Sequence, residues 1–227
     1  MPDFVIPAPA QPSVAVASTA ARFPVRRIFC VGRNYAAHAR EMGNDAREPP
    51  FFFTKPADAV TGGDAPYPPA TANLHYEAEL VVAIGKAGRD IAEAEALGHI
   101  WGYAPGNDLT RRDLQAEAKE MRRPWDMAKG FDASAVCGAL LPVAQAGHPS
   151  DSARLSCSVN GELRQQAPLG EMIWPVPAIL GFLSRLVALR PGDLVYTGTP
   201  AGVGALARGD SCTVAIEGLG EVTTRIV

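Results

Sequence analysis

Two glutamates that stand two residues apart, Glu77 and Glu79, have the type and spacing needed to hold a cation. The apolar run over residues 80–84 that follows them is rich in Leu, Val and Ile, which predicts a β-strand. Residues two apart on a strand share a face, so both carboxylates would point the same way. Adjacent carboxylates repel each other, and a hard divalent cation between them relieves that conflict. Taken alone, the pair favours a simpler interpretation, an edge strand with a solvated acidic face.

His38 and Glu41 form a second candidate for chemistry, on a short helix predicted over residues 35–42. Asn34 would cap this helix and Gly43 would end it. Side chains three apart on a helix are neighbours. A carboxylate beside an imidazole fixes its tautomer and raises its basicity, as a general base acting on water requires. The simpler alternative is a solvated helix face.

Lys129 stands in a segment of aromatic and small residues. A buried ammonium is costly without an anionic partner, so the segment predicts that Lys129 reaches an anionic site; the alternative is a side chain that extends to solvent. A helix predicted from residue 111 to about 122 follows Asp108, and helix N-termini favour anions. Thr110 and Asp113 would form a capping-box-like pair at its start.

The segment 197–204 is a glycine-rich loop that follows a predicted strand at 194–196. Glycines allow close approach of the backbone to a ligand, and the exposed N–H groups can hold a carboxylate. The loop lacks the Gly-Lys-Ser/Thr sequence of a nucleotide-phosphate loop.

The other predicted elements are mostly short strands, as 20 prolines and 22 glycines suggest. A strong Asn160-Gly161 turn signal predicts a hairpin of residues 155–159 and 162–165, and Pro177 opens an apolar helix. Further strands are predicted at 25–31 and 100–104, a buried strand at 51–53, and a second hairpin of residues 213–217 and 221–226. Residues 1–22 are rich in Pro, Ala and Ser, which predicts an extended N-terminal arm before a single domain at 23–227.

The composition excludes several classes of protein. The net charge is −3 with both signs interspersed, which argues against a nucleic-acid surface or a basic membrane patch. No apolar run approaches the ~20 residues of a membrane span. The four scattered cysteines are expected to be reduced thiols, so we expect a cytoplasmic protein that binds neither nucleic acid nor membrane.

Several spaced motifs, in order from about residue 25 to the C-terminus, resemble the fumarylacetoacetate hydrolase superfamily and its single-domain acylpyruvase-like branch. The Pro-rich arm, Arg26-Arg27 and the 48–50 segment are most similar to the fumarylpyruvate hydrolases of gentisate breakdown. Each motif alone is weak, whereas the ordered set is specific. The matching motifs are VGRNYAAH (31–38), KP (55–56), HYEAE (75–79), DLTRRDLQ (108–115), PW through Lys129 (124–129), VNGELRQ (159–165) and PGD through Gly204 (191–204).

The resemblance implies a fold and roles for residues. The fold would be α+β but mostly β, a mixed β-sandwich or roll with flanking short helices, and the protein a homodimer. The implied metal ligands are Glu77, Glu79 and Asp108, with Mg²⁺ or Mn²⁺ expected and Ca²⁺ able to substitute in a crystal. The implied catalytic residues are His38, Glu41 and Lys129, and the implied substrate-binding residues are Arg112, Gln115, Thr199 and Lys55.

The implied activity is metal-dependent hydrolysis of a carbon–carbon bond in a 2,4-diketo acid, with fumarylpyruvate giving fumarate and pyruvate. His38, oriented by Glu41, would take a proton from the attacking water. Acylpyruvase or oxaloacetate decarboxylase activity is the alternative within the family, and a non-catalytic cation-binding assembly protein is the alternative from another class. A fumaryl group ends in a second carboxylate and needs a cation at the far end of the pocket. The candidates for that cation are Arg33, Arg40, Arg122 and Arg123.

Overall fold

The apolar run after the two glutamates forms the strand β7 (Ala78–Ile84), at the centre of the largest sheet. In the computed structural model, which describes residues 4–35 and 48–227, β7 lies between β8 (Ile100–Asp108) and β14 (Asp193–Tyr196) and runs antiparallel to both. All seven residues of β7 are buried, so the solvated edge strand is wrong. The helix predicted over 35–42, with His38 and Glu41, lies outside the described residues after position 35.

The central sheet has eight strands, of which seven follow one another in the order β4, β3, β14, β7, β8, β10, β5. The eighth, β11, pairs with β8. The pairs β3–β14 and β5–β10 are parallel and the other pairs are antiparallel. The strands not yet bounded are β3 (Arg27–Gly32), β4 (Phe51–Lys55), β5 (Val60–Thr61), β10 (Ala135–Cys137) and β11 (Leu141–Pro142).

Three smaller sheets surround the central one. A four-stranded sheet, in the order β13, β12, β16, β17, contains both predicted hairpins. Its strands are β12 (Arg154–Val159), β13 (Glu162–Pro168), β16 (Ser211–Ile216) and β17 (Gly220–Arg225). The others are β1 (Ser13–Ala15) with β2 (Arg22–Pro24), and β6 (Leu74–Tyr76) between β9 (Thr110–Arg111) and β15 (Gly204–Leu206).

The described helices are short and flank the sheets. They are α1 (Glu93–Ala96), α2 (Arg112–Glu120), α3 (Asp126–Lys129), α4 (Val143–Ala146) and α5 (Val176–Leu186), with 3-10 turns at Ala57–Ala59, Leu97–His99 and Leu169–Glu171. The capping box predicted for α2 is absent, because the Asp113 carboxylate accepts instead from the Thr71 hydroxyl and the Ala72 N–H. None of the helices described is long and apolar enough to cross a membrane.

Alternate residues of β7 pack into two different cores. Ala78, Leu80, Val82 and Ile84 face the core shared with the four-stranded sheet and α5. Val81 and Ala83 face a second core, which the β1–β2 hairpin covers with Val14 and Phe23. Two sheets around one core, with short helices outside, is the mixed β-sandwich or roll that was predicted.

Part of the segment predicted as an N-terminal arm packs on this body. Val14 and Val16 are buried, whereas Phe4, Val5 and Ile6 are exposed. The division into an arm at 1–22 and one domain at 23–227 stays a prediction.

Candidate metal centre and active site

Glu77, Glu79 and Asp108 meet where β7 begins and β8 ends. Glu77 directly precedes β7, and its carbonyl accepts from the Asp108 N–H over 2.8 Å. The three side chains are buried, and one carboxylate oxygen of each lies within 4.8 Å of the others. Antiparallel pairing of β7 with β8 therefore brings together carboxylates that are about thirty residues apart in the chain.

The glycine-rich loop closes one side of this carboxylate cluster. The Gly198 N–H donates to Glu79 Oε2 over 2.7 Å. Gly198 has φ +95°, and a Cβ there would lie 2.7 Å from the Cβ of Asn34. Only glycine accommodates both the left-handed backbone and this close approach, so the loop depends on it to reach Glu79.

Lys129 ends α3 with its ammonium against two of the carboxylates. Its Nζ donates to Glu77 Oε2 and to Asp108 Oδ2, each over 2.7 Å. The residue is 1% exposed, so these charge-assisted bonds form in a low-dielectric environment where they are strong. The structure thus gives Lys129 the anionic partners that its surroundings demanded.

Lys55, which the resemblance placed among the substrate-binding residues, lies behind the carboxylates instead. Its side chain is fully buried, and its Nζ is 2.7 Å from Asp108 Oδ1. Its three N–H bonds go to the carbonyl oxygens of Leu109, Lys129 and Ser134. The prediction of a substrate contact is therefore corrected, because no N–H remains to face a ligand.

The donor set fits a hard divalent cation. Every candidate ligand atom is a carboxylate oxygen, which Mg²⁺ and Mn²⁺ prefer over the nitrogen and sulfur typical of zinc sites. Asp108 Oδ1 is already paired with the buried Lys55 ammonium at 2.7 Å, so the fit to a cation rests on the oxygen donors and on their close approach to one another.

The two glutamates of the cluster have opposite electrostatic environments. Burial alone would raise the pKa of Glu77, but Lys129 and Arg112 outweigh it and hold that pKa far below its usual range. Burial, then the charges of Asp108 and Glu77, raise the pKa of Glu79 well above its usual value. Burial would lower the pKa of Lys129, but its carboxylate partners raise it to about 12. Without a cation, burial and the neighbouring charges therefore favour the protonated form of Glu79.

The Arg112 guanidinium contacts three side chains, one of which belongs to the carboxylate cluster. Its guanidinium donates to Glu77 Oε1 over 2.5 Å and to Gln115 Oε1 over 2.6 Å. Its Nε donates to His75 Nδ1 over 3.4 Å. Burial, then Arg112, lower the pKa of His75 to about 4, so this ring is neutral and donates from Nε2 to Asn73 Oδ1. His75 belonged to a recognised motif, but its support of Arg112 was not predicted.

Gln165 was missed by sequence reasoning and holds the Thr199 loop in place. Its Nε2 donates to the Thr199 hydroxyl over 2.8 Å and to the Pro200 carbonyl over 2.7 Å. Its Oε1 accepts from the Ala78 N–H at the start of β7. The Gln165 amide therefore joins the β12–β13 hairpin to the Thr199 loop and to β7, the strand that carries Glu79. Because Gln165 donates to Thr199, the hydroxyl hydrogen of Thr199 is free to point at a ligand.

Replacing Gln165 with Met is expected to weaken substrate binding and lower stability. The change leaves the Ala78 N–H buried without an acceptor, which costs about 1–3 kcal/mol. It also frees the Thr199 hydroxyl, so we expect a carboxylate ligand of the pocket to bind about tenfold more weakly with the loss of one oriented hydrogen bond. Calorimetric titration and urea unfolding measure both effects. The matched control is Gln166→Met, since Gln166 is the exposed neighbour on the same strand; equal effects in both variants would contradict this role.

One pocket opens the cluster to solvent. It brings together residues from the predicted catalytic, substrate-binding and metal-binding sets, whereas Lys55 and Asp108 do not line it. His38 and Glu41 lie outside the described residues. The pocket is lined by Val31, Gly32, Arg33, Phe53, Glu77, Glu79, Arg112, Gln115, Lys119, Trp125, Lys129 and Thr199.

A family model described as the C-terminal domain of fumarylacetoacetate hydrolase matches residues 27–227. Among solved structures, the chain is similar to a fumarylpyruvate hydrolase from Pseudomonas aeruginosa in complex with Mn²⁺ and pyruvate. The two are 52% identical with a TM-score of 0.96, and the match covers 99% of each chain.

Relatives with two different activities also match. A fumarylpyruvate hydrolase from Ralstonia is 41% identical over 181 residues, which are 79% of this chain and 93% of that protein. A mitochondrial oxaloacetate tautomerase from Arabidopsis thaliana is 42% identical over 198 residues, 86% of this chain and 88% of the relative.

Proposed function

This chain belongs to the fumarylacetoacetate hydrolase family, and on that premise we propose that it hydrolyses fumarylpyruvate to fumarate and pyruvate. The observation that carries the proposal is the buried carboxylate cluster facing a pocket that also presents Arg112, Lys129 and Thr199. The similarity to a hydrolase solved with Mn²⁺ and pyruvate supports this choice of substrate. The reaction adds water across the bond between the acyl carbonyl and the adjacent methylene, so a carboxylate and a 2-oxo acid leave.

We propose that Glu77, Glu79 and Asp108 hold a divalent cation, Mn²⁺ or Mg²⁺. The three buried carboxylates, with one oxygen of each within 4.8 Å of the others, support this role. When bound, the cation would supply Lewis-acid stabilisation of negative charge on the substrate oxygens. Three carboxylates are balanced by Lys55, Lys129 and Arg112, so a divalent cation would leave the site positive and suited to an anionic substrate.

The remaining roles follow from the hydrogen bonds of the chain itself. The Thr199 hydroxyl, which accepts from Gln165, would donate to the carboxylate of the 2-oxo acid. Arg112 and Gln115, already joined to each other, would orient the diketo group. Lys129 stays protonated and would stabilise the charge that develops on the departing three-carbon fragment.

We further propose that His38, oriented by Glu41, removes a proton from the attacking water. The proposal rests on the sequence motif around these residues and on the spacing of an imidazole and a carboxylate along a predicted helix. Water attacks the carbonyl distal to the 2-oxo acid carboxylate, and the same imidazolium could later return the proton to the leaving carbon.

A second candidate is the interconversion of the enol and keto forms of oxaloacetate. The relatives named as oxaloacetate tautomerases favour it, at 42% identity for the plant protein. This reaction moves a proton on carbon and needs no attacking water. The same cluster of carboxylates, Arg112 and Lys129 would serve it, so substrate preference decides between the two.

Parallel assays with fumarylpyruvate, acetylpyruvate and oxaloacetate test the proposal. Loss of the enol absorbance is followed with Mn²⁺ and with chelator, and products are identified. We expect fumarylpyruvate to be hydrolysed with the highest kcat/KM and only with metal. A clear preference for acetylpyruvate, or tautomerisation of oxaloacetate without any hydrolysis, would overturn the choice of reaction.

We also propose a homodimer located in the cytoplasm. The dimer rests on the resemblance to the family, and the location rests on the absence of disulfides among Cys30, Cys137, Cys157 and Cys212, which are free and buried in the described structure.

A further inference from the structure

Three aromatic rings pack together into a wall beside the carboxylate cluster, where the Lys129 ammonium lies 5.0 Å from the centroid of the Phe53 ring. Trp125 contacts Phe51 and Phe53, with ring centroids 5.4 and 5.7 Å apart. Both phenylalanines lie on β4 and are only partly buried, although the sequence predicted a buried strand. Gly32 permits the arrangement, because a Cβ there would lie 2.1 Å from the ring of Phe51. Phe53 and Trp125 line the pocket directly.

Two cations besides Lys129 are held on this aromatic wall. The Arg33 guanidinium lies over Phe51 at 4.9 Å, and the Lys119 ammonium lies over Trp125 at 5.2 Å. Both side chains line the pocket. Stacking on a ring fixes a cation without using its N–H donors, so these remain free for an anion. Within residues 4–35 and 48–227, neither cation forms an ion pair with a carboxylate.

The backbone conformation of Arg33 and the charges that surround Lys119 are both unusual. Arg33 has φ +68°, a left-handed conformation that costs energy for a residue with a side chain. Burial, then the neighbouring Arg112, lower the pKa of Lys119 to about 8, and Arg33 and Lys129 act in the same direction against the charge of Glu77. An anionic ligand would relieve the repulsion among these cations.

The other cations considered for this end of the pocket fit less well. Arg122 and Arg123 are exposed and do not line the pocket. Arg123, which follows α2, lies 3.7 Å from Glu117 on that helix, and both side chains are exposed. Arg40 is outside the described residues.

We propose that Arg33 and Lys119 form a distal anion subsite, which selects 2,4-diketo acids whose acyl group ends in a second carboxylate. The planar conjugated chain of such a substrate lies against Phe53 and Trp125, between the carboxylate cluster and this subsite. The inference rests on the proposed function and adds to it the residues that recognise the acyl end. It predicts that the two cations distinguish fumarylpyruvate from acetylpyruvate, which has no distal carboxylate.

Lys119→Met tests the subsite, because methionine keeps the stem on Trp125 and removes the charge. We expect kcat/KM for fumarylpyruvate to fall about 10–100-fold, as the loss of a charge-assisted contact implies, with kcat/KM for acetylpyruvate unchanged within about twofold. Lys119→Arg should restore most of the loss. Arg123→Met, which removes the same charge from the end of α2, is the matched control and should change neither substrate.

Calorimetric binding to the Mn²⁺-loaded protein separates this inference from the proposed function. The probes are 2-oxoheptanedioate and 2-oxoheptanoate, which have the same chain length, differ in the distal carboxylate and cannot undergo the hydrolysis. Wild type should bind the diacid about tenfold or more tightly, and Lys119→Met should remove that difference. Equal affinities for both probes in wild type, or equal losses on both probes in the variant, would overturn the subsite. Failure of wild type to hydrolyse any diketo acid would overturn the function alone.

Discussion

Replacing Glu79 with Gln is expected to abolish cation binding and hydrolysis while leaving the metal-free protein at least as stable as wild type. Glu79 is fully buried beside Glu77 and Asp108, and burial is the main cause that raises its pKa well above its usual value. Ionising it without a cation therefore costs folding free energy. Glutamine has the same shape, carries no charge and can still accept from the Gly198 N–H.

The loss of activity in Glu79→Gln should be large. Lewis-acid stabilisation is worth several kcal/mol, so kcat/KM should fall about a thousandfold. Thermal unfolding with and without Mn²⁺ measures the cation directly. Wild type should gain about 2.7 kcal/mol when the free Mn²⁺ is about 100 times Kd, and Glu79→Gln should gain nothing.

The pH dependence of the metal-free protein gives an independent check of Glu79. Its folded-state pKa lies above the unperturbed value of 4.5, so the folded state holds this proton more tightly than the unfolded state. The cost of burying Glu79 is therefore fully present above the raised pKa and declines as the pH falls from that value toward 4.5. In chelator, the stability advantage of Glu79→Gln over wild type should shrink as the pH is lowered toward 4.5.

Glu77→Gln is the matched control, because the same substitution should have the opposite effect two residues away. Lys129 and Arg112 hold the Glu77 carboxylate ionised against the effect of burial. Removing its charge leaves these cations with too few anions, and breaking a buried pair costs about 3 kcal/mol. Equal destabilisation of the metal-free protein by both substitutions, or a retained Mn²⁺ response in Glu79→Gln, would contradict the cation site.

Replacing His38 with Ala is expected to abolish hydrolysis without loss of cation binding. A positioned general base contributes about 10²–10⁴-fold, so kcat for fumarylpyruvate should fall within that range. Any decarboxylation or tautomerisation of oxaloacetate should persist, because neither reaction needs an activated water. Comparing hydrolysis, oxaloacetate turnover and Mn²⁺ affinity in one variant separates the base from the metal site.

His148→Ala is the control for a lost imidazole. His148 is exposed and pairs with the Tyr103 hydroxyl over 2.7 Å, away from the pocket that holds the carboxylates. Hydrolysis in this variant should stay near wild type. Unchanged hydrolysis in His38→Ala would show that the water is activated by another group.

The sequence predicted strand β7 itself, but it did not predict the two strands that pair with β7. The alternation along β7 is real, with Leu80 and Val82 in one core and Val81 in the other. An edge strand with a solvated acidic face was equally compatible with the alternation of side chains, because alternation does not reveal whether a strand lies at the edge of a sheet. Pairing with β8 and β14 on both sides removes that alternative, and long-range pairing of this kind is not encoded locally.

The residues that sequence reasoning misplaced or missed act through distant partners. Lys55 has a motif in its favour, yet its three hydrogen bonds end on carbonyls 54 to 79 residues away. Gln165 reaches Ala78 across 87 residues. The predicted pairing of Thr110 with Asp113 failed because Thr71 and Ala72 compete for that carboxylate. Only the folded chain shows such competition.

The most direct measurement is pyruvate release from fumarylpyruvate by protein stripped of metal, as Mn²⁺ is added back. We expect no release in chelator and a return of activity with Mn²⁺, with fumarate and pyruvate formed in equal amounts. Glu79→Gln should stay inactive at every Mn²⁺ concentration. Full hydrolysis in chelator, or consumption of fumarylpyruvate without equal fumarate and pyruvate, would contradict a metal-dependent carbon–carbon hydrolase.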